Sequence, residues 1–148
     1  MERLILDTSA LIALERRHTD RTDVLPDDAD IAISALTASE LLAGVELADE
    51  QHRDRRLELV DGVLERVEII AFDLEIARHH ASLLADARRA GQPRGAHDLQ
   101  IAATARATGR TLITTDAAAF DGLPGVTHRP HGKEQSGHPD LVAGSSPA

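Results

Sequence analysis

Four short aliphatic runs recur along the chain, and they limit its fold more than any other feature of the sequence. They are RLIL at 3–6, IAI at 31–33, VEII at 67–70 and TLI at 111–113. Each run has the length and composition of a short buried strand. Longer segments with helical spacing separate them, and strands that alternate with helices form a parallel sheet covered on both faces. The sequence therefore predicts an α/β fold around a short central parallel sheet.

Helices are expected where apolar residues return every three or four positions, as they do at Leu74, Ala77, Ala81 and Leu84. A second helix is predicted over the Ala-rich segment 96–108, which Gly109 ends. The charged segment 49–61 either continues a helix begun at Leu41 or forms a helix of its own.

The domain is expected to end at residue 131. From there on the sequence loses its apolar periodicity and becomes rich in Gly, Ser and Pro. Such a segment buries too little apolar surface to offset the entropy of ordering. We therefore predict one domain over residues 1–131 and a disordered tail over 132–148.

The composition excludes several classes of site. The chain has 148 residues, the length of about one domain, with a net charge of −9, no Cys, two Phe and neither Trp nor Tyr. Thiolate zinc sites and Cys nucleophiles are excluded, and aromatic base-stacking platforms nearly so. The acidic balance argues against bulk attraction of nucleic acid, although metal ions and a few arginines can still engage phosphate. No apolar run reaches the length of a membrane span, so we expect a cytoplasmic protein.

Four carboxylates stand where a predicted strand or loop passes into a helix. Asp7 ends LILD, and Glu40 lies in SALTASELLAG. Asp98 lies in RGAHDLQIAA, and Asp116 in LITTDAAAF. Taken singly, each has a structural explanation that is the stronger one: Asp7 and Asp116 suit N-caps. Glu40 completes a capping box with Thr37, and Asp98 offsets the dipole of a first helical turn.

Taken together, the four acids predict a metal site. The carboxyl ends of parallel strands meet at one edge of a sheet, so these acids can converge there. Several ionised carboxylates within about 5 Å repel one another by several kcal/mol, which exceeds the roughly 1 kcal/mol that a cap returns. Mg²⁺ and Mn²⁺ prefer such oxygen ligands and leave positions for a substrate phosphate. We therefore expect metal-assisted phosphodiester hydrolysis, in which an activated water attacks phosphorus.

The chain resembles the PIN domain, and more narrowly the VapC toxins of bacterial type II toxin–antitoxin systems. The likeness lies in four segments in order: LDTSALI, SALTASELLAG, AHDLQIAATA and LITTDAAAF. The resemblance implies a three-layer α/β/α fold and a Mg²⁺- or Mn²⁺-dependent endoribonuclease that cleaves tRNA or ribosomal RNA. It also implies silencing by a cognate VapB-type antitoxin and assembly as a homodimer.

The resemblance also implies roles for five residues. Asp7, Glu40 and Asp98 match the three core acids of the family, and Asp116 matches a fourth acid that varies more. All four are therefore expected to be metal ligands. Thr114 matches the hydroxyl residue of a T-x-D motif, where it is expected to bond a carboxylate or a metal-bound water, or else to be an ordinary strand-end residue.

Three other readings of the acids lead to different classes of protein. A phosphatase of the haloacid dehalogenase type or a receiver domain needs a lysine near its aspartyl phosphate, but the one lysine, Lys133, lies in the predicted tail. The phosphatase pattern also needs a second Asp where Ser9 stands. A catalytically silent PIN-like module that binds RNA or protein remains the alternative to the nuclease.

Histidines and arginines outside these motifs are assigned no catalytic role. His79 and His80 are expected on the exposed side of a helix, and His97 at the surface or near the site without binding the metal. Three arginines suit phosphate contacts, antitoxin contacts or a solvated helix end, of which the last is favoured: Arg88, Arg89 and Arg94.

Overall fold

The computed structural model of the chain describes residues 1–16 and 28–131, in which strands and helices alternate. The strands are β1 (Arg3–Leu6), β2 (Asp30–Ser34), β3 (Glu68–Ile70), β4 (Thr111–Thr114) and β5 (His128–Pro130). The α-helices are α1 (Thr8–Arg16), α2 (Ala35–Glu46), α3 (Glu50–Arg66), α4 (Leu74–Arg89) and α5 (Ala96–Thr108). A 3₁₀ turn spans Ala117–Ala119. The predicted tail over 132–148 lies outside the described residues.

The strands form one sheet in the order β3-β2-β1-β4-β5, and every pair of neighbours is parallel. The first residues of the strands therefore lie at one edge of the sheet, the amino edge. The last residues lie at the opposite edge, the carboxyl edge. β1 is central, so a residue that follows it emerges in the middle of the carboxyl edge.

Helices cover both faces of the sheet, as predicted. Along β1, Leu4 and Leu6 face one helical layer while Ile5 faces the other, because side chains alternate along a strand. The first layer contains α1, α2 and the end of α3, and the second contains α4 and α5. The expected three-layer α/β/α fold is confirmed. Among the described helices, none has the length and apolarity needed to cross a membrane.

The charged segment that begins at residue 49 forms a separate helix, α3, which was one of the two alternatives. Asp49 caps it, because its carboxylate accepts a hydrogen bond from the backbone N–H of His52 at 3.0 Å. Because Asp49 itself has extended backbone angles, α2 and α3 do not form one continuous helix.

Helix α4 is where the periodicity predicts it, but its buried face differs from the predicted stripe. Leu74 is 68% exposed, whereas Ile76 and Leu83 are almost fully buried. The side chains of Ile76 and Leu83 pack in the same core cluster as the buried residues of α5. Position 74 is the first residue of the helix and lies at its solvated end.

Strand β5 was not predicted. Its three residues are His128, Arg129 and Pro130, so it lacks the aliphatic pattern of the other strands. It is an edge strand, where a proline is tolerated because no further strand needs its missing N–H.

Arg110 ties three strands together at the amino edge. Its side chain is only 2% exposed and lies just before β4. It donates to the backbone oxygens of Leu4 at 3.2 Å and Asp30 at 3.0 Å, and to the Glu68 carboxylate at 2.8 Å. A second pair joins it to the Asp30 carboxylate at 3.1 Å. One buried guanidinium thus links the starts of β1, β2 and β3.

We expect Arg110→Met to lower the free energy of unfolding by about 1 to 3 kcal/mol, because it leaves the backbone oxygens of Leu4 and Asp30 without this buried donor. Arg129→Met is the matched control, since Arg129 pairs with Glu2 at 2.8 Å while both side chains are over 40% exposed. This exposed pair should contribute far less. Urea unfolding of the two variants checks the difference, and equal losses would contradict the role given to Arg110.

The Arg110 guanidinium, by hydrogen-bonding Asp30, holds the pKa of that carboxyl below its ordinary value. The ionised form is therefore favoured in the folded chain, so its contribution is present above the ordinary pKa and is lost as the pH falls. We expect the stability difference between the natural chain and Asp30→Asn to shrink as the pH is lowered from about 6 to about 3. Urea unfolding at several pH values measures it, and a difference that stays constant would refute this linkage.

Candidate active site

Asp7 emerges from the middle of the carboxyl edge, directly after β1. Its backbone N–H bonds to the oxygen of Ile113 at 3.2 Å, which continues the sheet by one residue. One carboxylate oxygen, Oδ1, accepts from the backbone N–H of Ala10 at 2.9 Å and from the hydroxyl of Ser9 at 2.6 Å. Asp7 is therefore the N-cap of α1, as expected, and its residue is 7% exposed. Capping fixes the side chain and leaves the second oxygen for another partner.

Ser9 connects Asp7 to the end of the neighbouring strand, β4. It is not among the site residues that the sequence predicts. Besides donating to Asp7, its hydroxyl accepts the backbone N–H of Thr115 at 3.2 Å. The signal in the sequence is the run of polar residues DTS between two aliphatic segments. Thr8, in the same run, is the second residue that the sequence-based assignment passes over.

Glu40 does not complete a capping box, and that expectation is wrong. Helix α2 begins at Ala35, and its N-cap is Ser34, which accepts the backbone N–H of Thr37 at 3.1 Å. Strand β2 ends directly at Ser34, so the helix starts before the segment assumed from the S/T-x-x-E spacing. Glu40 therefore lies in the second turn.

The carboxylate of Glu40 is bonded through both oxygens. Oε2 accepts from the hydroxyl of Thr8 at 2.7 Å, and Oε1 lies 3.0 Å from Nδ1 of His97. His97 therefore lies next to Glu40. This agrees with one of the two positions expected for it, near the site. These contacts join α2 to the starts of α1 and α5.

Asp98 is the third residue of α5, so its predicted place in a first helical turn is confirmed. Gly95 is the N-cap, and a Cβ built on it would lie 2.8 Å from Oδ2 of Asp98. A side chain at position 95 would displace the carboxylate. The absence of a side-chain cap leaves the dipole of α5 to favour the negative charge of Asp98.

Asp116 follows β4 and precedes the 3₁₀ turn, but its side chain makes no capping hydrogen bond. Asp116 therefore occupies the N-cap position of the turn, as expected, but its side chain lacks the hydrogen bond by which an N-cap stabilises a helix. Thr114, fully buried, accepts the backbone N–H of Asp116 at 3.0 Å. The expected contact of Thr114 with a carboxylate or a metal-bound water stays a prediction.

The charges of three acids act on the fourth, Asp98, at the carboxyl edge. Burial raises the pKa of Asp98, and the charges of Asp116 and Asp7 raise it further. Glu40 adds a smaller effect in the same direction, while His97 opposes it. Carboxylates from four separate segments therefore share one electrostatic environment.

The arrangement fits an open magnesium-type site better than a closed cage. Within residues 1–16 and 28–131, no three His, Asp or Glu side chains are arranged to hold a metal ion together. Mg²⁺ is commonly bound by one or two carboxylates and several waters, so it does not need such a set. Hard oxygen donors, a shared negative field and the absence of Cys fit Mg²⁺ or Mn²⁺.

Arg94 has a structural role within the folded chain. Its guanidinium donates to the backbone oxygens of Ala118 and Ala119 at 3.3 and 2.9 Å, and to that of Asp121. It therefore joins the loop before α5 to the turn after Asp116.

His79 is also more engaged than its expected place on an exposed helix side. It is half-buried, and its Nδ1 accepts from Nε of Arg106 at 2.8 Å. His80 is likewise half-buried and makes an edge contact with Phe72, whose ring centroid lies 5.9 Å away. Neither of these contacts involves one of the four acids.

Known proteins match the chain in sequence and in fold. The PIN domain family matches residues 4–125. The tRNA(fMet)-specific endonuclease VapC of Salmonella typhimurium is 34% identical over 98 residues, covering 65% of this chain and 71% of the relative. Ribonuclease VapC1 of Rickettsia felis is 32% identical over 124 residues, covering 83% of this chain and 92% of the relative.

A solved structure extends the likeness to the fold. VapBC2 from Rickettsia felis, bound to a DNA fragment from its promoter, superposes with a TM-score of 0.78 at 25% identity. The match covers 88% of this chain and 99% of that chain. With the family pattern, the identities and the fold in agreement, the chain belongs to the PIN domain family and, within it, to the VapC ribonucleases.

Proposed function

We propose that this VapC toxin, the endoribonuclease of a type II toxin–antitoxin system, cleaves RNA with Mg²⁺ or Mn²⁺ held at its carboxyl edge. The proposed ligands are Asp7, Glu40, Asp98 and Asp116. One observation carries the proposal: Glu40 contacts Thr8 at 2.7 Å and His97 at 3.0 Å, the sequence neighbours of Asp7 and Asp98, so acids from three separate segments lie at the carboxyl edge. A hard divalent cation is the natural partner of oxygens gathered in this way.

The residues of the site have different tasks. When bound, the metal supplies polarisation of the scissile phosphate and activation of the attacking water. Ser9 and the N–H of Ala10 hold one oxygen of Asp7, so the other is left for the cation. The carboxylates of Asp98 and Asp116 accept no hydrogen bond from the described part of the chain. Thr114 fixes the backbone of Asp116, so we assign it to positioning that acid.

We propose a structured RNA, tRNA or ribosomal RNA, as the substrate. The similar protein of Salmonella typhimurium is named a tRNA(fMet)-specific endonuclease. With a net charge of −9 the chain does not attract RNA by bulk electrostatics. Recognition then depends on local contacts between the phosphate and the bound metal, which places the acids at the centre of substrate binding as well as cleavage.

A cognate VapB-type antitoxin is the partner that we propose, with a homodimer of the toxin within the complex and the cytoplasm as the place of action. The support is that similar chains were solved as VapBC complexes, among them VapBC-5 from Mycobacterium tuberculosis at 30% identity and a TM-score of 0.72. A silent module that binds RNA without cutting it is the alternative function.

RNA cleavage should require both the metal and the acids. Purified toxin, freed of antitoxin, is incubated with total RNA and Mg²⁺ or Mn²⁺, and the cut ends are mapped. We expect discrete cleavage that chelation abolishes, and a loss of roughly 100-fold or more in Asp7→Asn and Asp98→Asn, because each change removes a charged metal ligand.

Asp61→Asn is the matched control, since Asp61 is an exposed acid on α3, away from the carboxyl edge. It should cleave at the natural rate. Tight RNA binding with no cleavage under any metal would instead establish the silent module. Cleavage that survives both site substitutions would refute the assigned acids.

Metal binding and the Asp98 charge should also be visible in stability. Mn²⁺ at a hundredfold excess over its Kd stabilises the native chain by about 2.7 kcal/mol, because it binds the folded state alone. In the metal-free protein, Asp98→Asn should raise the Tm by roughly 2 to 4 °C, since it relieves repulsion among the acids. Calorimetry with and without Mn²⁺ measures both effects. A Tm that Mn²⁺ leaves unchanged would count against the site.

A further inference from the structure

The residues that bond Glu40 are the sequence neighbours of the two other core acids. Thr8 follows Asp7, and it donates to Oε2 of Glu40 at 2.7 Å. His97 precedes Asp98, and its Nδ1 lies 3.0 Å from Oε1. Each oxygen of Glu40 is therefore tied to a segment that also carries another acid of the site.

The direction of both hydrogen bonds follows from the chemistry of the groups. An ionised carboxylate only accepts, so the Thr8 hydroxyl must donate to it, and Nδ1 of His97 must carry the hydrogen. This holds whether His97 is neutral or charged, and the contact fixes which ring nitrogen is protonated when it is neutral. The His97 side chain is 63% exposed, while that of Glu40 is 31% exposed.

Glu40 needs such support more than the other acids do. Asp7 is held by a backbone N–H and by Ser9. Asp98 stands in a first helical turn, where its short side chain has few orientations. Glu40 lies in the second turn of α2 and has a longer side chain with more rotatable bonds. Without its two partners, its carboxylate would be free to turn away from the other acids.

We propose that Thr8 and His97 are positioning residues that together fix the Glu40 carboxylate toward Asp7 and Asp98. The inference rests on the proposed function, because it assigns these two residues to the metal site. They act through Glu40 and are not themselves ligands. The two supports come from different helices, α1 and α5, so they fix the carboxylate from two directions.

The test measures Mn²⁺ affinity of the full chain by titration calorimetry, with RNA cleavage measured in parallel. Thr8→Val removes the hydroxyl at nearly constant shape, and His97→Ala removes an exposed ring that contributes little to the core. We expect each to weaken Mn²⁺ binding roughly tenfold, the effect of removing a group that orients a ligand. Thr8→Ser and His97→Asn keep a donor at the same place, so both should restore most of the affinity.

Coupling to Glu40 separates positioning from a general structural effect. In a Glu40→Ala chain, Thr8→Val and His97→Ala should cause no further loss of Mn²⁺ affinity, since residues that act through one partner are not additive. Equal losses with and without Glu40 would overturn the inference. So would failure of the conservative variants to restore binding.

The outcomes also distinguish this inference from the proposed function. If the natural chain binds Mn²⁺ and cleaves RNA while Thr8→Val and His97→Ala bind the ion as tightly, the positioning role is wrong and the nuclease stands. If the natural chain binds no Mn²⁺, both are wrong. Weaker binding in the two variants, with rescue by the conservative changes, supports both.

Discussion

Repulsion among carboxylates is the constraint on which the site depends. A parallel sheet delivers acids to one edge, and like charges in that place oppose the fold unless something compensates them. In this chain the compensation is distributed. Asp7 receives a backbone N–H and a hydroxyl, Glu40 receives Thr8 and His97, and Asp98 lies at the positive end of α5. These three acids thus have local support, whereas the carboxylate of Asp116 makes no such capping contact.

At the amino edge of the sheet the charges are reversed: a buried positive charge is paired with carboxylates. There a single buried cation, Arg110, is surrounded by the carboxylates of Asp30 and Glu68 and by backbone oxygens. Both partners keep access to water, with side chains 33% and 61% exposed, which limits the cost of burying the charge. A buried guanidinium with its ion pairs thus lies at the amino edge, while the acids proposed to bind the metal lie at the carboxyl edge.

The sequence predicts the layers and the acids better than their local geometry. Four strands are recognisable in the sequence as aliphatic runs. β5 is not, because its His, Arg and Pro form the outermost strand of the sheet, where an apolar pattern is not required. The caps divide in the same way. Asp7 is both an N-cap and a proposed metal ligand, whereas the spacing from Thr37 to Glu40 matches a capping box only in sequence, because the helix begins earlier, after Ser34. Contacts such as Thr8 with Glu40 are invisible in sequence because 32 residues separate the partners.

Arg94 gives the loop over residues 91–95 an unusual constraint. The Arg94 guanidinium donates hydrogen bonds to the turn after Asp116. The next residue, Gly95, is the N-cap of the helix that carries Asp98. Surface loops ordinarily gain and lose residues with little consequence. Here an insertion or deletion between α4 and α5 would shift one acid relative to another, so the length of this loop is fixed by chemistry several residues away.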